Sequence, residues 1–593
     1  MTASGSLQEI EPTVFFTRNE TDVLGQLAYL NLENRGPAGE LELSLRSAGF
    51  EERQSLGPVE AGRGRYPLSI PDLRQAASVT LSLWSGANLL DQKEVLWQPQ
   101  KHWQVDLVHG SHHDLGYTDI PSNILREHAS HLDQVIAYAE ESADWPEEAR
   151  FRYVVEQAWS ALYFVEHRPA SAVGQLVRLL RAGQVEITAL LGNEISELCG
   201  HEEQVRLLYP AFRFKRRYGV PIQTAELNDI PGVSWGLLKV LAGSGIKYFS
   251  PGIQDYFSWW FKVHPWWDEA EVLPRDVPGA FWWQAQDGSR VLAWYPGGAI
   301  EGLYLWDYAQ TEKDLPAYLT RLSERGYAHD LIRVKVLGGR RDNAPPDLRF
   351  SRFAREWNAR WAYPRLRLAT NAEFFTRFEA AAGEGLPTLR GDLPNTDYAV
   401  AATSRAKELG VNRLTHATLA SAERLALWAG VTGKTTYPAD ALAEAYDCTL
   451  MSDERTGGMD VPIGPAHEAG WDQKGEFAYR AAALAQDVLV KSANAIADQV
   501  RLAEPGYHIL VFNPLAFPRT DVVRALAVPP PPSGRPMYWR QPPPGSPGPA
   551  EMTFGSAFGR NVVSLPAELL ESPFELLDLA SGQSIPYQLT LRS

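Results

Sequence analysis

Three short polar clusters carry residue types able to do chemistry. The first, Ser111-His112-His113-Asp114-Leu115-Gly116-Tyr117, follows a short apolar stretch built on Val105, Leu107 and Val108. A His-x-Asp pair at a strand end puts an imidazole and a carboxylate on one side, because residues i and i+2 share a face. Those are ligands for zinc or a similar divalent ion. The same residues also fit a neutral, hydrogen-bonded histidine cluster in a loop. The second cluster, Glu226-Leu227-Asn228-Asp229-Ile230-Pro231-Gly232, again ends an apolar run. A strand-terminal Asp is often a helix N-cap, and Asp229 fits that role for a helix starting near Pro231. The third, Gly338-Gly339-Arg340-Arg341-Asp342-Asn343-Ala344-Pro345-Pro346, also reads as a surface turn.

The elements that must position these clusters can be read from hydrophobic periodicity. Leu41, Leu43 and Leu45 alternate with polar residues, as do Val79, Leu81 and Leu83, so residues 1–100 predict a β-sandwich. From Trp103 the texture becomes strand–helix alternation. Strands are predicted at Val105–Val108, Tyr153–Val155, Val185–Ile187, Ile222–Leu227, Lys247–Phe249, Val291–Trp294 and Val334–Leu337. Leu132, Val135, Ile136 and Ala139 mark one face of an intervening helix. This alternation predicts a parallel sheet closed into a (β/α)-type barrel over 101–395, whose active site lies at the C-terminal strand ends. Residues 396–503 are Ala-rich and predict a helical bundle. From 504 to 593 the β pattern returns with His508–Phe512 and, near the end, Pro586–Leu591. Ten of the 21 residues from Pro529 to Pro549 are proline, an extended loop. This last β domain is short, which suggests a truncated form of something longer. The fold class expected is thus multidomain α/β plus β, with a barrel, a helical bundle and flanking β-sandwich domains.

Composition narrows the function classes. Lys+Arg total 56 against Asp+Glu 72, a formal net charge of −16, and an acidic surface repels phosphate backbones. A nucleic-acid partner is therefore not expected. No apolar run reaches the roughly 18 residues of a membrane span and no secretory signal is visible, so a cytoplasmic protein without a membrane partner is expected. Cys199 and Cys448 are too few for a disulfide framework and read as reduced, buried thiols. The chain holds 19 Trp, and flat apolar surfaces suit sugars. Seven aromatics between Tyr256 and Trp267 fit a sugar-stacking wall or lid, or packing against another domain or subunit. Homo-oligomerisation is kept as an expectation on that account.

Taken together and in order, the clusters resemble glycoside hydrolase family 38, the α-mannosidase family, in wording closest to a bacterial branch. The resemblance starts with His112-x-Asp114-x-Gly116-Tyr117. It continues through Val155-Glu156-Gln157-Ala158-Trp159, Gly192-Asn193-Glu194-Ile195-Ser196-Glu197 and Asn228-Asp229-Ile230-Pro231-Gly232. Phe281-Trp282-Trp283, Asp287-Gly288-Ser289-Arg290 and Val511-Phe512-Asn513-Pro514-Leu515 extend it towards the C-terminus. It implies one zinc ion held by His112, Asp114 and Asp229, with Asp229 also the catalytic nucleophile. Asp342 stands at the family's late acidic position and is the implied acid/base, while Tyr117 is the residue expected to stack on the bound sugar.

The resemblance also implies a histidine as fourth ligand, and this chain has Ser452-Asp453-Glu454-Arg455-Thr456 there. Arginine stays protonated and cannot ligate a cation. Three alternatives stand at this point: His467 takes over, water completes the shell, or the site is weakened. The activity expected is a metal-dependent retaining glycoside hydrolase acting on α-mannosides or related α-glycosides. The competing readings are a metal-dependent carbohydrate deacetylase and a non-catalytic carbohydrate-binding protein.

Overall fold

A computed structural model of the chain describes residues 4–253, 279–295, 311–339, 341–394, 405–433, 435–503, 508–523, 526–528, 562–564 and 572–588. The aromatic block at 256–267 and the proline-rich stretch at 529–549 lie outside the described residues. The chain divides into two compact units, residues 1–406 with 453–474 and residues 407–452 with 475–593.

The first unit opens with seven strands: β1 (Gly5–Arg18), β2 (Leu24–Asn34), β3 (Gly39–Ser47), β4 (Phe50–Val59), β5 (Gly62–Pro71), β6 (Ala77–Ser85) and β7 (Asn88–Trp97). They form two antiparallel sheets, in the orders β1-β2-β5 and β4-β3-β6-β7. Leu43 lies opposite Leu83 and Leu45 opposite Leu81. The period-2 pattern sends all four inward, where they share one core with Leu30, Leu68 and Ile70 from the other sheet.

From Gln104 onward twelve further strands follow: β8 (Gln104–Gly110), β9 (Tyr153–Val155), β10 (Val185–Ile187), β11 (Thr224–Ile230), β12 (Gly232–Val233), β13 (Tyr248–Ile253), β14 (Gly279–Gln284), β15 (Arg290–Tyr295), β16 (Leu331–Leu337), β17 (Arg365–Ala369), β18 (Thr388–Leu389) and β19 (Leu393–Pro394). β8 pairs in parallel with β16 and β17 and, at its tip, with β9, which pairs with β10. A second sheet has the order β11-β13-β15-β14-β18 and is parallel except between β14 and β15. The two meet where the Ala189 N–H, just past β10, donates to Thr224 O in β11 at 2.9 Å. Each predicted strand of this region is present.

One face of these strands is apolar. Val105, Leu107, Val334, Val336, Leu366 and Leu368 pack with Trp357, Phe374 and Phe378 of the covering helices Arg349–Arg360 and Asn371–Ala382. The opposite face is charged and buried. Lys335 Nζ reaches Glu156 Oε2 at 2.7 Å and Glu226 Oε1 at 2.8 Å, and Arg333 reaches Glu226 Oε1 at 3.4 Å and Ser250 Oγ at 2.8 Å. Asn228 Nδ2 donates to Glu156 Oε2 at 2.7 Å and Glu226 Oε1 at 2.8 Å. Gly252 in β13 permits this: a Cβ there would stand 2.0 Å from Asn228 Oδ1. Two acids matched by two bases satisfy the rule that buried charge must be paired. Burial opposes ionisation of both glutamates, yet Lys335 with His112 holds Glu156 well below the usual carboxylate range, and Lys335 with Arg333 lowers Glu226.

The second unit is helical where the Ala-rich stretch predicts it. Leu419, Ala422 and Ala426 from Ala406–Val431, Leu442 and Tyr446 from Ala439–Asp453, and Ala485 and Val488 from Pro465–Ala497 share one core. Two expectations need correction. His508–Phe512 is irregular rather than a strand, because no partner strand pairs with it among the described residues; of the second predicted strand, 586–588 is irregular and 589–591 lies outside them. Cys199 is partly exposed, whereas Cys448 is buried as expected. No helix among the described residues is long and apolar enough to cross a membrane.

Replacing Lys335 by Met would leave Glu156 and Glu226 short of one buried cation. The expected cost is about 3–5 kcal/mol, the usual cost of breaking a buried ion pair. It would be read as a lower urea midpoint for the transition of the first unit, and a shift worth under ~1 kcal/mol would contradict the paired-charge account.

Candidate active site

The His-x-Asp motif leaves β8 at Gly110, and its two adjacent histidines take opposite roles. His113 points away from the acids. Its Nδ1 lies 2.9 Å from Ser111 O and its Nε2 3.0 Å from Ser160 Oγ, and its ring packs on His128, 4.1 Å between centroids, and Trp159 at 5.0 Å. Burial pushes His113 down to about 4, so it is the neutral core histidine that one reading of the motif anticipates. His112 faces the other way. Its Nδ1 is 3.0 Å from Glu156 Oε1 and its Nε2 is 3.1 Å from Asp114 Oδ1 and 4.0 Å from Asp229 Oδ2. Burial disfavours charge on His112, but Asp114 and Glu156 outweigh it and raise its pKa well above the ordinary value.

Asp229 arrives from a different strand by a local device. The β11–β13 register slips between Asn228 and Ile230, and Asp229 within that bulge has φ of 53°. A bulge re-aims a side chain, and a non-glycine residue in the left-handed region is held there by its surroundings. Asp229 is therefore no helix cap; the next helix, Trp235–Gly243, begins after Ser234. One ligand atom each from His112, Asp114 and Asp229 falls within 4.8 Å of the others. The side chains of His112 and Asp114 are 2% and 1% exposed and that of Asp229 is 14%, so Asp229 is the member open to a ligand.

The third cluster is not a free surface turn. Asn343, with φ of 54°, is fully buried and clamps the first cluster. Its N–H donates to His112 O at 2.9 Å, its Oδ1 accepts from the Asp114 N–H at 3.0 Å, and its Nδ2 donates to Asp114 O at 3.0 Å. The neighbouring Asp342 is partly exposed. Its pKa is raised, chiefly by burial and further by the charges of Asp114 and Asp229, against the opposing His112 and Arg455. Tyr117 is 38% exposed, and burial together with Asp342, Asp460 and Asp114 pushes its hydroxyl up.

Sequence reasoning did not single out two positioning residues. Glu156 holds His112 Nδ1 and the His113 N–H, both at 3.0 Å, and Asn343 fixes the motif backbone. Both lie in segments that the sequence flags, Glu156 in the family-like run Val155–Trp159 and Asn343 in the third polar cluster, but nothing there assigns either a positioning role.

The fourth neighbour is Arg455. Its Nη2 lies 2.7 Å from His112 Nε2 and pairs with both Asp114 Oδ1 and Asp229 Oδ2. His467 is not a member of the cluster and instead packs edge-on to Trp471, 5.5 Å between centroids. The three donors are of the right type for a divalent ion. As folded, however, a guanidinium nitrogen touches all three, and a metal about 2.0–2.2 Å from each would fall on that nitrogen. The residues present thus do not fit a bound metal with Arg455 where it stands.

A sequence profile described as "Glycosyl hydrolases family 38 N-terminal domain" matches residues 102–395, the segment that carries all three clusters. Through this segment the chain belongs to glycoside hydrolase family 38. Among solved structures, an alpha-mannosidase from Enterococcus faecalis V583 is similar at 16% identity with a TM-score of 0.51, over 67% of this chain and 43% of that one. A protein in the glycosyl hydrolase family 38 from Enterococcus faecalis is similar at 16% identity with a TM-score of 0.46, over 67% of this chain and 40% of that one. The first likeness shows a shared mixed α/β multidomain fold, and the chain spans less than half the length of either structure. Among curated proteins, none matches this sequence. The family 38 segment has Arg455 for company at its cluster, from a part of the chain beyond the matched residues.

Because His113 is held neutral by burial, its contribution to stability is present above its ordinary value of 6.5 and lost as pH falls towards about 4. Over that window His113→Gln is expected to flatten the pH dependence of unfolding by up to about 1.4 kcal/mol per pH unit. Denaturant melts of both proteins from pH 7 to 4.5 test this; parallel curves would mean His113 is not held neutral by the fold.

Proposed function

We propose that this chain is a retaining glycoside hydrolase acting on α-mannosides or related α-glycosides. The observation that carries the reading is the convergence of Asp229, on a strained bulge, with Asp114 and His112, while Asp342 nearby has a raised pKa. A retaining mechanism needs one ionised carboxylate as nucleophile and one protonated carboxyl as acid, about 5–5.5 Å apart. Asp229 attacks the anomeric carbon as the bond to the leaving oxygen breaks, and Asp342 gives that oxygen its proton. Asp342, now ionised, then takes a proton from water as the water oxygen attacks the anomeric carbon and releases Asp229. Tyr117, 38% exposed and near enough to Asp342 to feel its charge, supplies a face for the sugar ring.

Zinc on His112, Asp114 and Asp229, the arrangement implied by the family resemblance, is not carried into this mechanism, because Arg455 stands among its three donors. For the same reason a deacetylase using a metal-bound water has less support. The reading includes a sheet closed into a barrel over 101–395, flanked by a β-sandwich at 1–100, a helical bundle at 396–503 and a C-terminal β domain at 504–593. A carbohydrate is the proposed partner, in a cytoplasmic, bacterial setting, and homo-oligomerisation belongs to the same proposal.

Asp229→Ala is expected to lower kcat on an aryl α-mannoside by at least about 10³-fold with unchanged circular dichroism. Near-normal hydrolysis by that variant would sink the assignment, and binding of mannose without turnover by the unaltered protein would favour the carbohydrate-binding reading. A raised Asp342 pKa keeps its acid form to higher pH, so kcat/KM should fall as pH rises through that pKa. Asp342→Asn should remove that alkaline limb, and should slow substrates with poor leaving groups more than activated aryl glycosides.

A further inference from the structure

We propose that Arg455 is the resident cation of this site: its guanidinium takes the position between His112, Asp114 and Asp229, so that the cluster works without a bound metal. The inference rests on the hydrolase reading only for its activity arm. Its geometric ground is that a single nitrogen, Nη2, contacts one ligand atom of each of the three residues that could otherwise hold an ion. Occupancy by the two cations is mutually exclusive, since a metal at bonding distance from those atoms would overlap Nη2. Charge excludes them as well, because the guanidinium keeps its proton at any ordinary pH.

The local structure fixes Arg455 in this place. Its N–H donates to Asn193 O at 2.8 Å, and Glu454 bridges Glu194 in a single antiparallel pair. The Glu454 carboxylate is held in turn by Lys474 Nζ at 2.7 Å and Thr456 Oγ1 at 2.8 Å. The Arg455 side chain is 7% exposed, so moving it aside for a metal would mean unpacking it and leaving its charge without Asp114 and Asp229. Arg455 is thus a positioning residue: it acts through Asp229, orienting the carboxylate and offsetting the Asp114 charge beside it. Unlike a metal, it is covalently part of the chain and cannot be chelated.

The test compares the full-length chain, purified without a histidine tag, with Arg455→His, and its first readout is zinc bound after equilibrium dialysis. The unaltered protein is expected to retain no stoichiometric zinc. Arg455→His, which removes the competing cation and adds an imidazole donor, is expected to retain about one zinc per chain and bind it at least ~100-fold more tightly. Stoichiometric, chelator-removable zinc in the unaltered protein would overturn the proposal. So would equal zinc affinity in the two proteins with Arg455→His folded by circular dichroism; if that variant fails to fold, Arg455→Gln serves for the same comparison. The second readout is hydrolysis of an aryl α-mannoside with and without EDTA. Chelator-insensitive turnover by the unaltered protein supports the proposal, and loss of turnover in EDTA overturns it. Absence of any turnover would count against the hydrolase reading, while the zinc measurement would still decide the role of Arg455.

Discussion

Asp114 and Asp229 bring two carboxylates to one point in a part of the molecule that is almost closed to water, and this cannot be done without a cation between them. At 4 Å, two like charges repel by about 4 kcal/mol for an effective dielectric constant near 20. The rest of the site can be read as the solution to that constraint. Arg455 contacts both carboxylates, and His112 completes the ring around the same nitrogen. Below His112 the charges continue to alternate: Glu156 on its Nδ1, then Lys335, then Glu226, then Arg333. The result is a column of alternating signs running from the sheet interior to the strand ends.

This column explains why so many strands must be in register for the cluster to exist. Glu156 follows β9, Glu226 and Asn228 lie on β11, and Arg333 and Lys335 lie on β16. His112 and Asp114 follow β8, which is hydrogen-bonded to β16 along its whole length, with Lys335 beside Val108. A one-residue slip in that pairing would turn Lys335 to the apolar face and expose Val334 or Val336 to the acids. The apolar packing of Val334 and Val336 against the helices and the ion pairing of Lys335 on the other face therefore enforce the same register.

The strands were legible because burial and period alone dictate them: β3, β6, β8, β11 and β16 all fall where apolar residues recur at strand spacing. The motif histidines were legible only as a pair, since nothing in Ser-His-His-Asp says which ring turns to the acids; packing against Trp159 and His128 decides it. Asp229 was identified from its motif, but its left-handed φ and bulge depend on the β11–β13 register, a tertiary property. Asn343 looked like one more turn residue. Its role as a clamp requires β16 to deliver it beside a loop more than 200 positions earlier in the chain, with Asp114 at |i−j| of 229. His508–Phe512 shows the opposite failure, an apolar alternation that finds no partner strand among the described residues.

Arg455 stood out in the sequence as a residue that cannot do what a histidine does there, and the structure turns that incompatibility into a geometric statement. A divalent ion gathers ligands on all sides and can add substrate oxygens as further ligands, because its coordination is set by charge and size. A guanidinium nitrogen offers only its two N–H bonds, confined to the plane of the group. The carboxylates of Asp114 and Asp229 occupy those two N–H bonds, which leaves the nitrogen little to offer a further oxygen. In a site built this way, a sugar would therefore be oriented by the remaining open groups, Asp229, Asp342 and Tyr117, with the cation serving to hold the two carboxylates in place. Under the proposed function, exchanging one ligand for one cation would move substrate recognition from the centre of the cluster to its rim.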